Sequence, residues 1–249
     1  MIDLHTHVLP GIDDGSQSMD MSLEMLSLAA ESGVDSLVTT PHANIPDAYE
    51  NYVGEELETL WDRLEWERER ADIPIQLYKG MEILATPDMP ELLREGRLWT
   101  LNGTRYFLTE FLFDEDPDYC WDILNACVDL DFHPIIAHPE RYFFVQEDPE
   151  LAYEWCTAGF GLQISKGSLL GRFGPGPRRT AELLMDHGLV ACVASDAHRP
   201  YRRSTYMDEI ARFLEEQYGE ACRFLLLEEN PMRILNVEEL LGFEPIPFG

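Results

Sequence analysis

Residues 1–40 read MIDLHTHVLPGIDDGSQSMDMSLEMLSLAAESGVDSLVTT, and this opening decides the fold class. Ile2 to His5 is a short apolar, strand-like run. Asp20 to Ser32 carries apolar residues at helical spacing and is ended by Gly33, and Ser36 to Thr40 is strand-like again. Strand, helix and strand in that order begin an α/β fold on parallel strands.

The rhythm continues outward. A charged helix is predicted from Gly54 to Ala71, with Leu57, Leu60, Trp61 and Leu64 forming its apolar stripe. Strands are predicted at Ile75–Ile83, Tyr106–Phe111, Pro134–Ala137, Gly161–Ile164 and Leu189–Ala194, which makes seven βα units. Thr86 to Gly103 breaks the pattern with a short helix near Pro90–Glu95 and a strand-like LWTL at 98–101. Helices at Tyr206–Tyr218, Ala221–Leu227 and Pro231–Leu235 are expected to cover the flank. The prediction is a distorted (β/α)7 barrel in one domain, residues 1–249, a length at which such barrels often form a single unit.

Composition narrows the function classes. Eighteen Lys and Arg against 47 Asp and Glu give a net charge of −29, which disfavours nucleic acid and anionic lipid as partners. MIDLHTH has neither the basic nor the apolar region of an export leader, and no apolar run reaches about 18 residues, so the expected compartment is the cytoplasm, without membrane insertion. Five cysteines without CxxC spacing suit a reducing compartment, and Cys120 and Cys127 read as core packing.

In parallel barrels functional groups sit where strands end, and here nearly every strand ends in a metal-ligand type. His5 and His7 close the first strand, His42 the second, Glu82 the third, Glu110 the fourth, His138 the fifth, and Asp196 with His198 the seventh. The sixth, ending at Ser165 and Lys166, has none. Alternate residues of an extended chain point the same way, so His5 and His7 can converge on one ion. Carboxylates in apolar surroundings are costly unless paired or metal-bound. Asp13 and Asp14 have the composition of turn formers; proximity to the two histidines makes Asp14 a ligand candidate as well. His133, at a strand start, and His187, at a helix C-terminus, read as structural.

An imidazole and carboxylate set without thiolate suits Mn, Fe, Zn or a mixture, and so many ligands imply two or three ions. Such clusters favour displacement at phosphorus, and arginines beside them suit phosphate oxygens. Arg141 in HPER, and Arg199, Arg202 and Arg203 in HRPYRR, are so placed. GSLLGRFGPGPRR, from Gly167 to Arg179, reads as a flexible loop able to cover substrate, and it lacks the ending of a nucleotide-binding Walker motif. No cysteine is followed by arginine at Cx5R spacing; from Cys192, Arg199 falls one position too far.

MIDLHTHVLPGIDDGS, TTPHAN with YENY, KGMEIL, TEF, IIAHPERY, LQISKGSLLGRFG, ASDAHRPYRRS and ENPMRIL span nearly the whole chain. In these motifs the chain resembles the PHP-superfamily protein-tyrosine phosphatases of bacterial capsule and exopolysaccharide systems, the CpsB/YwqE-like group. The resemblance implies a three-metal site, often manganese-activated, that hydrolyses phosphotyrosine without a cysteine nucleophile. Carried onto this sequence, the ligands are His5, His7, Asp14, His42, Glu82, Glu110, His138, Asp196 and His198, and the phosphate-binding, catalytic arginines are Arg141 and Arg203. Manganese is the expected ion, with Fe, Zn or Mg as alternatives. The implied partner is a phosphotyrosine protein, the tail of a bacterial tyrosine kinase; an assembly of identical chains rests on analogy alone. Ala43 replaces a histidine common in the group, and Lys166 stands where a small or polar residue is expected. Lys166 and Arg172 are candidate substrate contacts. A small-molecule phosphatase acting on histidinol phosphate or a sugar phosphate, and a metal-stabilised binding module, are the competing readings.

Overall fold

The computed structural model describes residues 1–242 and 244–249. Its strands are β1 (Ile2–Thr6), β2 (Ser36–Thr39), β3 (His42–Ala43), β4 (Gln76–Lys79), β5 (Glu82–Leu84), β6 (Tyr106–Glu110), β7 (His133–Ala137), β8 (Gly161–Ser165) and β9 (Cys192–Ala194). Every pairing is parallel, in a sheet β1-β2-β4 and a sheet β3-β5-β6-β7-β8-β9.

Seven strand positions lie behind these nine segments. β2 falls in the predicted strand Ser36–Thr40 and β3 continues its line beyond a break at Thr40-Pro41, where proline has no N–H for a ladder. β4 and β5 are likewise broken at Gly80-Met81. A Cβ on Gly80 would lie 2.7 Å from Val38 Cγ1, so the strands approach there too closely for any larger residue. The ladder is therefore not continuous, but a bridge between Thr6 and Ala197 joins its ends. Asp196 N donates to His5 O and His7 N to Ala197 O, both at 2.9 Å. The fold is a distorted (β/α)7 barrel.

The helices are α1 (Met19–Glu31), α2 (Glu55–Arg70), α3 (Met89–Arg94), α4 (Pro117–Val128), α5 (Phe143–Glu147), α6 (Glu150–Thr157), α7 (Lys166–Leu169), α8 (Pro175–Asp186), α9 (Asp208–Tyr218), α10 (Glu220–Phe224) and α11 (Asn230–Leu235). Among the described residues none is long and apolar enough to cross a membrane. Ser18 caps α1, its side chain accepting from Met21 N. One buried cluster packs the strands against the surrounding helices. A second joins Leu4, Val38, Leu108, Ile135 and Cys192 to Ile234 and Leu235 of α11.

Three expectations change. α11 covers the N-terminal ends of the strands rather than a flank: Asn102 and Tyr106, where β6 begins, donate to Leu235 O (3.0 Å) and Glu238 O (2.8 Å). LWTL forms no strand, because Leu98 and Leu101 turn into the core and Trp99 N donates to Met81 Sδ. The segment from Gly167 to Arg179 is mostly helical, in α7 and α8, with only the turn Leu170–Gly174 between them. All five cysteines are free, and Cys120 and Cys127 are buried as expected of core residues.

Candidate metal centre

The strand ends bring all nine candidate ligands to one end of the barrel. His5 and His7 oppose their Nε2 atoms across 3.2 Å, and Glu82 Oε2 lies 3.2 Å from the first and 3.3 Å from the second. The same oxygen is 3.1 Å from His42 Nδ1, which also meets Glu110 Oε1 at 2.7 Å. Asp196 Oδ1 lies 3.6 Å from His5 Nε2 and 3.7 Å from His7 Nε2. Asp14 Oδ1 reaches His198 Nε2 at 3.3 Å and His42 Nε2 at 3.5 Å. Three groups have mutually close donor atoms: His7, Asp14, His42 and His198; His5, His7 and Asp196; and His42, Glu82 and Glu110. His138 lies outside these three and is held by Glu82 Oε1 at 2.8 Å.

The backbone is bent sharply to achieve this. His138 (φ 39°) and Asp196 (φ 51°) both adopt the left-handed conformation, uncommon for residues other than glycine. Such strain, of order 1–3 kcal/mol for each residue, persists only where surrounding structure enforces it, and functional sites are where it collects. Gly15 answers a different demand: a Cβ there would lie 2.3 Å from His7 Cβ.

Charge is concentrated and buried. Glu82 Oε2 and His42 Nδ1 are buried and, although 3.1 Å apart and with Glu110 Oε1 2.7 Å from the latter, meet at angles that make no hydrogen bond; His138 Nδ1 is buried without a partner. Burial pushes the Glu82 carboxyl up, but His5 and His42 outweigh it and hold the group well below the usual carboxylate range. Asp196 behaves alike, its burial opposed by His5 and Arg203. Burial opposes charge on His42 too, yet Glu82 and Glu110 lift its pKa to about 9, while burial and His7 lower His198 to about 4. Orphaned oxygens and nitrogens facing one small space, all of imidazole and carboxylate type, fit divalent cations.

Two orienting residues were not recognised from sequence. Asp13, read as a turn former, does accept from Gly15 N at 2.8 Å, but it is buried and its Oδ2 also takes His7 Nδ1 at 2.8 Å and His42 N at 3.1 Å. Gln163 Oε1 takes His5 Nδ1 at 2.7 Å. Its only signal was a polar side chain in the middle of the strand GLQIS, two residues before Ser165. Both acceptors leave the histidine Nε2 atoms as the ligating ends.

Arg141 and Arg203 line the same cavity of about 310 Å³, with Ile45, Leu84, Leu112 and Phe113 as its apolar wall. Arg141 Nη1 donates to Asp196 Oδ2 at 3.0 Å and Arg203 Nη2 to Asp196 Oδ1 at 2.6 Å. Arg199 instead ties loops together, donating to Asp14 O at 2.7 Å.

The other two expected substrate contacts are placed elsewhere. Lys166 is 1% exposed and donates through Nζ to Ser204 O (2.5 Å) and Tyr206 O (2.6 Å), with burial lowering its pKa to about 8. The chain enters α7 at Lys166, which turns the side chain away from the metal cavity. Arg172 pairs with Glu209 at the surface. Both line a neighbouring cavity that shares Arg203 with the first. His187 is structural, its Nδ1 on Ile246 O at 2.7 Å, and His133 stands apart, packed on Tyr106.

Comparison with known proteins agrees with this geometry. Residues 1–236 match the family model for capsular polysaccharide synthesis, CpsB/CapC. The chain is 34% identical to the tyrosine-protein phosphatase YwqE of Bacillus subtilis, over 95% of this chain and 92% of that protein. It is 30% identical to the tyrosine-protein phosphatase CpsB of Streptococcus pneumoniae, over 94% and 98%. A crystal structure from work on YwqE and CpsB, described as unique metal-dependent tyrosine phosphatases, superposes with a TM-score of 0.93 at 32% identity, covering 100% of both chains. The chain belongs to the CpsB/CapC family of capsular polysaccharide synthesis.

Proposed function

We propose that this protein is a metal-dependent protein-tyrosine phosphatase, with His5, His7, Asp14, His42, Glu82, Glu110, His138, Asp196 and His198 as its metal ligands. The reading rests on seven ligand-type side chains and two arginines lining one cavity with an apolar wall, with His5 and His7 beneath it against Glu82 and Asp196. Divalent ions held there supply Lewis acidity, acidifying water and offsetting phosphoryl charge. Manganese is the ion we assign.

The chain's own groups supply the rest. Arg141 and Arg203 carry donors on one rim, suited to gripping the phosphoryl oxygens that do not react, by charge-assisted hydrogen bonds. Ile45, Leu84, Leu112 and Phe113 offer apolar surface for the aryl ring of phosphotyrosine. Water attacks phosphorus, the bond from phosphorus to the phenolic oxygen breaks, a proton lost by the water is made good on that oxygen, and tyrosine and orthophosphate separate. No cysteine lines the cavity, in keeping with a mechanism that has no thiolate nucleophile. The substrate we assign is the phosphorylated tail of a bacterial tyrosine kinase governing capsule or exopolysaccharide synthesis, met in the cytoplasm.

Turnover of a phosphotyrosine peptide and of histidinol phosphate by the manganese-loaded protein tests this reading. The peptide is expected to be preferred, and Arg141→Ala or Arg203→Ala to lower its kcat/KM ~100-fold, the scale seen when one charge-stabilising donor is removed. A preference for histidinol phosphate, or unchanged turnover in both variants with normal metal content, would contradict it.

A further inference from the structure

The turn Leu170–Gly174, joining α7 to α8, places one aromatic ring against both arginines of the cavity. The centroid of Phe173 lies 4.8 Å from Arg141 Cζ and 5.5 Å from Arg203 Cζ. A second ring, Phe113, lies 4.9 Å from Arg141 Cζ.

The backbone under Phe173 is cut to fit it. A Cβ on Gly167 would lie 2.7 Å from both Cε2 and Cζ of the Phe173 ring. Gly167 sits inside α7, outside the left-handed region, so its backbone tolerates any residue and the ring alone demands glycine there. The turn is pinned to α7 by Arg172 N on Gly167 O (2.7 Å) and Gly171 N on Ser168 O (2.9 Å).

α7 is in turn tied to both arginine-bearing loops. Glu140, the neighbour of Arg141, accepts from Ser168 Oγ at 2.6 Å and from Ser165 N at 3.1 Å. Lys166 Nζ holds Ser204 O, next to Arg203. Two guanidiniums that must meet one phosphate repel each other and need support. Asp196 supplies part of it by accepting one N–H from each, at the cost of occupying those donors. An aromatic face attracts both cations and occupies no donor.

We propose that Phe173 is a positioning residue that fixes the spacing of Arg141 and Arg203 for phosphate, and that Gly167 is glycine to admit its ring. The proposal rests on the phosphate role assigned above to the two arginines.

The test uses the full chain loaded with manganese, comparing wild type with Phe173→Leu, Phe173→Tyr, Gly167→Ala and the Gly167→Ala/Phe173→Leu double variant. Orthophosphate affinity is measured by calorimetry, KM and kcat on a phosphotyrosine peptide, and the arginine Nε–Hε resonances by NMR on the same proteins loaded with diamagnetic zinc in place of manganese. Phe173→Leu is expected to weaken phosphate ~10-fold, raise KM by a similar factor, remove the ring-current shift of the Arg203 signal and reduce that of Arg141, which keeps Phe113, with metal content unchanged. Phe173→Tyr, which keeps the ring, should stay near wild type. Gly167→Ala should reproduce the loss, and the double variant should be no worse than Phe173→Leu, because the two ring atoms 2.7 Å from the added methyl are gone and leucine can move its own methyl aside.

Phosphate affinity in Phe173→Leu within about twofold of wild type, or losses that multiply in the double variant, would overturn the proposal. If Phe173→Leu does not fold, a Gly167→Ala variant that folds and binds phosphate normally overturns it equally. Wild-type protein that fails on phosphotyrosine but binds phosphate in a manner dependent on Phe173 would refute the proposed substrate and leave this inference standing.

Discussion

His5 and His7 turn their Nε2 atoms toward each other across 3.2 Å, and each ring is fixed from behind, His5 Nδ1 by Gln163 Oε1 at 2.7 Å and His7 Nδ1 by Asp13 Oδ2 at 2.8 Å. An amide oxygen and a carboxylate can only accept, so both Nδ1 atoms carry hydrogen and both Nε2 atoms are the ends left to bind an ion. Burial opposes charge on the rings, yet Glu82 and Asp196 raise the pKa of His5 and Asp13 and Glu82 that of His7, so a bound cation would take the place of those protons. Glu82 Oε2 faces the same space. A cation resolves that convergence of donor atoms.

Asp13→Ala or Gln163→Leu frees one ring to rotate and to change tautomer. Each is expected to lower metal affinity or activity about 10- to 100-fold while the fold survives. Metal content after competition with a graded chelator, alongside circular dichroism, checks this. Undiminished metal retention in both variants would count against the orienting role.

Eight of the nine candidate ligands were legible in the sequence because they follow from one rule, that side chains at the ends of parallel strands share a mouth; Asp14 lies in the turn after the first strand. The rule could not say which of Asp13 and Asp14 turns inward for which purpose. Asp13 is buried behind His7, whereas Asp14 is half exposed and faces His42 and His198. Gln163 was hidden for a related reason: a single polar residue within a strand gives no clue to the partner across the barrel. Lys166 misled because it follows a strand end, and only the immediate start of α7 carries its side chain to the backbone at Ser204 and Tyr206. The breaks at Pro41 and Gly80, which divide one wall into two sheets, depend on how closely neighbouring strands approach.

Glu140 gives the fold a pH dependence. It is fully buried, and burial lifts its pKa to about 7, with hydrogen bonds from Ser168 and Ser165 opposing the rise. A carboxyl whose pKa is raised on folding contributes stability that is complete below its unfolded value, near 4.5, and is lost as pH climbs through about 7. Glu140→Gln mimics the protonated group. It should match wild type in thermal unfolding at acid pH and be the more stable by up to ~3 kcal/mol at alkaline pH, at 1.36 kcal/mol per pKa unit. Parallel melting curves at both pH values check the sign, and a variant less stable at alkaline pH would contradict it.

Thiol chemistry should be irrelevant to turnover. Burial pushes the Cys120 and Cys192 thiols well above their ordinary range and Cys127 to about 12, so none is a thiolate near neutral pH. Mild alkylation of the manganese-loaded protein is expected to leave phosphatase activity intact, and strong inhibition would argue for a cysteine mechanism.

The central claim is that the histidine and carboxylate cluster holds the ions that carry out the hydrolysis. Protein stripped with chelator, assayed on a phosphotyrosine peptide before and after manganese is restored, tests it in wild type and in His5→Ala. Activity is expected to vanish with the metal, to return with it in wild type, and not to return in the variant. Full activity in the stripped protein, or equal recovery in His5→Ala, would contradict it.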